Sequence, residues 1–237
     1  MSLPIQLSTH SQSLPSAAQS LTSYLKETCQ DGQKCDLSGC NLESFSLSEI
    51  PSQMNWLCLK GCDLTQVNLS TIPSHIKYLD LSECNLSKID LSKIPSTVNY
   101  LSLKMCDLNQ CAQLDIPASI TILDLSGSKL DKFVLSKLSP YVLDLTLDSC
   151  DLSEVDWSQI KDNIKILSLQ KCDLTQILYQ TVPDGFSLIE LRLNKAQVDS
   201  RLFEKMGNIG SLFLKNCRVD IRDVDQIKEK ATYIYIL

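Results

Sequence analysis

Glycine and histidine are scarce in this chain, 7 and 2 among 237 residues. So few glycines leave little material for phosphate-cradling loops, and two histidines, His10 and His75, leave little for imidazole metal sites or general bases. No G-x-x-x-x-G-K-[ST], G-x-S-x-G, H-E-x-x-H or G-x-G-x-x-G occurs, nor any C-x-x-C. Enzymatic chemistry therefore starts at a disadvantage, and no cofactor or metal is expected. No apolar run approaches the ~18 residues of a membrane-spanning helix, and Met1 to Ser20 lacks a basic segment followed by an apolar one. A soluble chain without an export signal is expected. Positive charge is in deficit: 22 basic against 28 acidic residues give a net charge of −6 and a pI near 5.0. That is the wrong sign for nucleic acid or an anionic membrane as main partner. The hydrophobic content, 43%, is ample for a folded core.

What fills the chain is a repeat. IPSQMNWLCLKGCDLTQVNLST from Ile50 is followed by IPSHIKYLDLSECNLSKIDLSK from Ile72 and IPSTVNYLSLKMCDLNQCAQLD from Ile94. The first position of each L-x-L falls at Cys35, Leu57, Leu79, Leu101, Leu123, Leu145 and Leu167, six steps of 22 residues. Steps of 24, 21 and 22 then lead to Leu191, Leu212 and Ile234. Alternating leucines require a short strand with both leucines inward and the intervening residue outward. One unit cannot bury that face alone, whereas stacked units enclose it at roughly 2 kcal/mol per buried aliphatic side chain. The stretch after each Leu64-type position is too short for a regular helix, so 3₁₀ turns or extended chain are expected on the outside. Pro73, Pro95, Pro117 and Pro183 recur there because each can begin a turn without removing a ladder hydrogen bond.

The phrase L-x-x-L-x-L-x-x-C-x-L, as at Met54, Leu57, Leu59, Cys62 and Leu64, resembles the leucine-rich-repeat family over residues 35 to 237. The resemblance implies an α/β solenoid, a curved horseshoe with a parallel β-sheet on the concave face and short 3₁₀ or extended outer segments. About nine repeats and a terminal strand are expected. Ser13 to Cys29 places Leu14, Ala18, Leu21, Leu25 and Cys29 on one helical face. A mobile residue 1–12 segment and a helical N-terminal cap over 13–34 are therefore expected, the cap covering the first repeat's leucines and strand edge. Helices are also expected at Asp199 to Met206 and Asp220 to Thr232, with Tyr233 to Leu237 closing the array as a strand.

Seven of the eleven cysteines, Cys40, Cys62, Cys84, Cys106, Cys150, Cys172 and Cys217, occupy the slot where the family has Asn or Cys. Ser128 and Ala196 fill the same slot, so small size and burial matter there more than thiol chemistry. Neighbouring ladder cysteines would stand about 4.8 Å apart with side chains pointing the same way, an unfavourable torsion for a disulfide. Reduced structural cysteines in a reducing compartment are expected, against the alternatives of disulfides or metal ligation. Cys58 is the one cysteine directed at the concave surface, with only Lys60 beside it to lower its pKa.

In this register the residues flanking the leucines form rows across the concave face. The first row is Trp56, Tyr78, Tyr100, Ile122, Asp144, Ile166, Glu190, Ser211 and Tyr233. Four large apolar residues in consecutive repeats are what protein-binding hot spots are made of, although Tyr and Ile are also simply good strand residues. The second row holds Asp80, Asp124, Thr146, Ser168, Arg192, Phe213 and Tyr235, and the third Lys60, Lys104, Asp148, Gln170, Asn194 and Lys215. Acid and base alternate between Lys60, Asp80, Lys104 and Asp124, either as a solvated salt lattice or as a pattern that orients a partner. The partner-binding candidates are Trp56, Tyr78, Tyr100, Ile122, Ile166, Asp80, Asp124 and Asp144. His75 reads as a plain surface residue of an outer loop. The sequons at Asn68 and Asn85 arise from the repeat's own N-L-S and say little about glycosylation.

The I-P-x-x-I-x-Y-L-x-L phrasing is similar to leucine-rich-repeat effectors that intracellular bacterial pathogens deliver into host cells. A cysteine-rich binding horseshoe also resembles, in general organisation, the cytosolic ribonuclease-inhibitor class, whose repeats are longer. These resemblances imply a non-catalytic binding module, monomeric on its own, that inhibits or sequesters a folded protein, with an enzyme as the first candidate. A scaffold tethering host proteins and an extracellular ligand receptor are the alternatives. An effector would act in the host cytosol.

Overall fold

The structure, a computed structural model, describes residues 33–44, 46–110, 114–131, 134–175, 182–183 and 186–237. The mobile segment expected over 1–12 and the cap helix expected over 13–34 lie outside these residues up to residue 32. Lys34, the last residue assigned to the cap, instead opens the first strand.

Each L-x-L centres a three-residue strand. These are β1 Lys34–Asp36, β2 Trp56–Cys58, β3 Tyr78–Asp80, β4 Tyr100–Ser102, β5 Ile122–Asp124, β6 Asp144–Thr146 and β7 Ile166–Ser168. β8 Leu188–Asn194, β10 Ile209–Lys215 and β12 Ala231–Ile236 are longer, and β9 Gln197–Val198 pairs with β11 Arg218–Val219 in a small second sheet. The other ten strands form one parallel sheet in the order β1-β2-β3-β4-β5-β6-β7-β8-β10-β12. The insertion at 167–191 and the deletion at 191–212 leave the leucines in register: Leu167 pairs with Leu191, Leu191 with Leu212 and Leu212 with Ile234. A period-two pattern specifies this, because a one-residue slip would turn every leucine out to solvent. Leu57, Leu79, Leu101, Leu123, Leu145, Leu167, Leu191 and Leu212 are fully buried.

The outer side carries the single-turn 3₁₀ helices Leu47–Glu49, Leu69–Thr71, Leu91–Lys93, Leu108–Gln110 and Trp157–Gln159. The side chains of Asn68, Asp90 and Asp156 accept from the backbone N–H of Ser70, Ser92 and Ser158 and so start three of these turns, burying Leu69, Leu91 and Trp157. The proline turn follows: Ile76, Val98 and Ile120 donate N–H to Pro73, Pro95 and Pro117 at 3.0 Å, and the next strand begins. Val134–Lys137 forms one α-turn that the repeat phrase does not announce. Near the end the outer segments become true helices, Ser200–Lys205 and Val224–Lys230. The segment expected as one helix over 220–232 divides into a 3₁₀ turn, Ile221–Asp223, and that α-helix, which gives way to β12 at Ala231.

Between strand and outer segment the chain must reverse into the core. The residue before each ladder slot is left-handed in nine repeats: Gly39, Gly61, Glu83, Met105, Gly127, Ser149, Lys171, Lys195 and Asn216, with φ between 50° and 66°. Only three are glycine, so the turn is imposed on six residues that resist it. The ladder residue then drops inward. Cys40, Cys62, Cys84, Cys106, Cys150, Cys172, Ser128 and Ala196 are buried, and Cys217, in the last such turn, is half-buried.

Candidate functional site

Parallel in-register pairing lines up the outward residues without gaps. Trp56 pairs with Tyr78, Tyr78 with Tyr100, Tyr100 with Ile122, Ile122 with Asp144 and Asp144 with Ile166. The three aromatic rings touch one another. Trp56 and Tyr78 stack with centroids 5.6 Å apart, Tyr78 and Tyr100 lie at 5.9 Å, and the Lys34 ammonium sits 5.7 Å from the centroid of the Trp56 ring. Trp56 and Tyr78 are each 38% exposed despite this packing, whereas Tyr100, Ile122 and Ile166 are half-buried. The stack thus presents a preformed apolar edge rather than four equally exposed side chains.

The second row is less accessible than its charges suggest. Asp80 turns back on its own strand end, its Oδ1 accepting from the N–H of Ser82 at 2.9 Å and from the Ser82 hydroxyl. Asp124 does the same with Ser126 and offers Oδ2 to Lys104 at 2.9 Å, leaving it only 8% exposed. The Lys104 ammonium is held above its usual pKa by that carboxylate. Lys60 does not join the expected alternation with Asp80; it pairs with Glu83 at 3.0 Å on the neighbouring turn. Cys58, expected at the concave surface, is buried, with its sulfur 3.1 Å from the Ser38 hydroxyl. Burial pushes its thiol up against the opposing Ser38 hydrogen bond, the opposite of an activated nucleophile.

Asp144 differs from the other acids of the face. It stands in the apolar row between Ile122 and Ile166, and its Oδ1 is out of water with no hydrogen-bond partner. Burial raises its pKa, Arg192 works against that, and Glu190 and Asp124 add to it. Arg192 is ion-paired to Glu190 through Nε. Asp148, in the third row, accepts from the Ser168 hydroxyl at 2.7 Å and the Gln170 N–H at 2.8 Å. A second aromatic pair, Phe213 and Tyr235, stacks at 4.5 Å on the C-terminal strands. Both rings stand in the second row, beyond two repeats of irregular length that break the spacing linking them to the first cluster.

His75 is not a plain surface residue. It is half-buried at the outer turn before β3, and its Nε2 is out of water without a partner. Thr97 Oγ1 and Ser119 Oγ occupy the same slot of the next two repeats in the same condition. Among the described residues no group of three or more His, Cys, Asp or Glu could hold a metal ion, and no helix is long and apolar enough to cross a membrane.

No protein-family model matches the chain, and no curated protein does. Among solved structures it is similar to the leucine-rich repeat-containing protein LegL7 from Legionella pneumophila, at 18% identity and a TM-score of 0.62 over 94% of this chain and 89% of that one. An internalin, inlF, from Listeria monocytogenes aligns at 15% identity over 86% of this chain and 82% of that one, with a TM-score of 0.37. The fold is that of a leucine-rich-repeat protein. Its ten-stranded parallel sheet and the L-x-L register that builds it are the defining features of that class.

Proposed function

We propose that this chain is a non-catalytic protein-binding module that holds a folded partner on its concave face and, where that partner is an enzyme, inhibits or sequesters it. The observation that carries the reading is the Trp56–Tyr78–Tyr100 stack, a rigid aromatic edge partly open to solvent and bordered by carboxylates. Aromatic side chains fixed before the partner arrives lose little entropy on binding, which is the property of a hot spot. Ten strands at ~4.8 Å span roughly 43 Å, wide enough for a standard interface of ~1,600 Å². A surface of that width laid over the rim of an active site would block substrate entry with no chemistry of its own. Delivery into a host cell as a bacterial effector accords with the repeat phrasing, and thiols sequestered in the core accord with a reducing compartment.

The test is a pulldown with the intact chain in parallel with a variant carrying Trp56→Ala, Tyr78→Ala and Tyr100→Ala, followed by assay of the captured partner. Each truncation is expected to cost about 2 kcal/mol, roughly thirtyfold, less than additively because the rings support one another. Binding untouched by the triple substitution would overturn the concave site. Full partner activity in a saturated complex would replace inhibition by tethering.

A further inference from the structure

Among the described residues, every carboxylate of the concave rows except Asp144 is served from within the chain. Asp36 takes the Lys34 ammonium at 2.9 Å and the N–H of Ser38. Asp80 accepts from Ser82, Asp124 from Ser126 and Lys104, Asp148 from Ser168 and Gln170, and Glu190 from Arg192. Asp144 has neither hydrogen bond nor ion pair, although its Oδ1 is out of water. Arg192 is the cation whose charge acts on it, and that side chain is turned to Glu190 through Nε. Lys104 is engaged by Asp124 at 2.9 Å, and Lys165, beside Ile166 in the chain, gives its ammonium to the Asp162 carbonyl at 2.7 Å. Asp124, Asp144 and Glu190 therefore face only Lys104 and Arg192, and the unmatched negative charge falls on the residue without a partner.

The ground around Asp144 is apolar. Register sets it between Ile122 and Ile166 in the first row. Leu143 precedes Asp144 and Ile189 precedes Glu190, and backbone bonds from Lys165 N to Leu143 O at 2.8 Å and from Ile189 N to Lys165 O at 2.7 Å hold them in one row beside it. Leu143 is 46% exposed and Ile189 62%. Asp144 stands four strands from Trp56, ~19 Å away, so this place is separate from the aromatic stack.

We propose that the folded partner presents an arginine here, its guanidinium donating to Asp144 Oδ2 and its aliphatic stem lying against Ile166, Leu143 and Ile189. The proposal rests on the concave face being the binding face and names the chemistry of one contact on it. A guanidinium fits better than an ammonium because it is weakly hydrated, so it lies against aliphatic side chains at less cost, and its planar fork matches a carboxylate. Asp144 is already half-buried before the partner arrives, so part of the desolvation that opposes a charge pair precedes binding. The apolar side chains around it then exclude water from the pair, as the surroundings of a hot spot do.

The test needs no identified partner. The full chain is titrated with the peptide Ac-Leu-Arg-Leu-NH2 and followed by amide chemical shifts, with the lysine and citrulline versions of the peptide in parallel. One charge pair and a small apolar contact give a Kd in the millimolar range. The arginine peptide should saturate with shifts centred on Leu143, Asp144, Ile166 and Ile189, and the lysine peptide should bind several-fold more weakly. Citrulline, which keeps the shape without the charge, should not saturate. Asp144→Asn should keep the wild-type circular dichroism and weaken the arginine peptide about tenfold. Asp148→Asn removes one charge from the same face at a carboxylate already bonded within the chain, and should leave the affinity within about twofold. Lysine binding as tightly as arginine, shifts centred elsewhere, no saturation by the arginine peptide, or equal losses in the two variants would overturn the proposal. Such a failure leaves the aromatic stack untouched, since the pulldown with the triple aromatic variant tests that reading independently.

Discussion

Cys84 donates its S–H to the carbonyl oxygen of Leu59, one repeat earlier, at 3.2 Å, and the same oxygen takes the backbone N–H of Cys62 at 3.1 Å. One carbonyl therefore closes its own turn and ties down the next repeat. The bond recurs from Cys62 to Leu37, Cys150 to Leu125 and Cys172 to Leu147, and Ser128 reproduces it with Leu103 at 2.7 Å. Ala196 fills the slot without it, so the ladder tolerates a gap. Cys84→Ala is expected to cost about 1 kcal/mol, the net worth of one buried hydrogen bond, and Cys84→Ser less, since a hydroxyl reaches the same oxygen. Urea unfolding of both variants checks this; equal losses would show that the S–H bond contributes nothing.

The same burial holds the Cys62, Cys84 and Cys150 thiols up at about 12 and Cys172 at about 11. Each folded pKa lies above the ordinary thiol value of 9.0, so the stability these groups contribute is complete below pH 9 and is lost as pH rises from there toward the folded values. Stability should decline steeply in that alkaline window. At pH 8 these thiols stay protonated, so alkylation of the native protein should label the half-buried Cys217 before any of the buried ladder thiols, which wait for unfolding. Mass spectrometry that found them already paired as disulfides would place the chain in an oxidising compartment.

The left-handed turn before each ladder slot gives a stability test free of packing effects. A Cβ added at Gly61, φ +66°, meets nothing within 4 Å, so the cost of Gly61→Ala is backbone strain alone, about 1 kcal/mol. Lys171, φ +61°, is exposed at the same turn, and Lys171→Gly should stabilise by a few tenths to about 1 kcal/mol, the relief of strain being partly offset by chain entropy. Thermal melts of the two variants should therefore move in opposite directions.

Period and register were legible in the sequence because leucine spacing encodes them directly, and burial enforces them at every repeat. The strands, the 3₁₀ turns and the proline turns follow from that spacing. What the spacing does not encode is how outward side chains treat each other. Asp80 and Asp124 look like surface charges, yet a serine two residues on draws each carboxylate back to its own strand end. Cys58 counts as outward by register and is nevertheless covered by Ser38. Tyr100 is less open than Trp56 and Tyr78 although all three stand in one row. The last strand begins two residues before Tyr233 because helix Val224–Lys230 stops at a β-configured Ala231, a boundary that apolar spacing alone does not mark.

The outer turn holds a correctable defect. Asn163 donates its side-chain N–H to the Val142 carbonyl, 21 residues earlier in the preceding repeat. Ser119 and Thr97 occupy the same slot, where the corresponding carbonyls belong to Val98 and Ile76, but their hydroxyls are too short to bridge and are left without partners. Ser119→Asn should complete the contact and raise stability by about 1 kcal/mol. Ser119→Ala, which removes the unpaired hydroxyl without replacing it, should be nearly neutral. A destabilised Asn variant would show that the pocket cannot take the longer side chain.

Asp144 separates the demands of folding from those of binding. Burial holds its carboxyl pKa above the ordinary 3.8, so the unfolded chain releases that proton first as pH rises. Through the window from 3.8 up to the folded value the group costs stability, and above it the cost is constant. Asp144→Asn removes the charge with little change of shape, so it should melt at a higher temperature than wild type at pH 7, with the difference closing as pH falls below the ordinary carboxylate range. Binding should respond with the opposite sign. Asp144 is half-buried between Ile122 and Ile166 with only Oδ1 out of water, so Oδ2 is the oxygen that can take a donor from the partner, a lysine or arginine above all, and losing one partner of a buried charge pair costs ~2–5 kcal/mol. A variant that folds better and binds worse would mark Asp144 as a residue kept for recognition at the expense of stability. A variant that folds better and binds as well as wild type would remove it from the site and leave recognition to the aromatic stack.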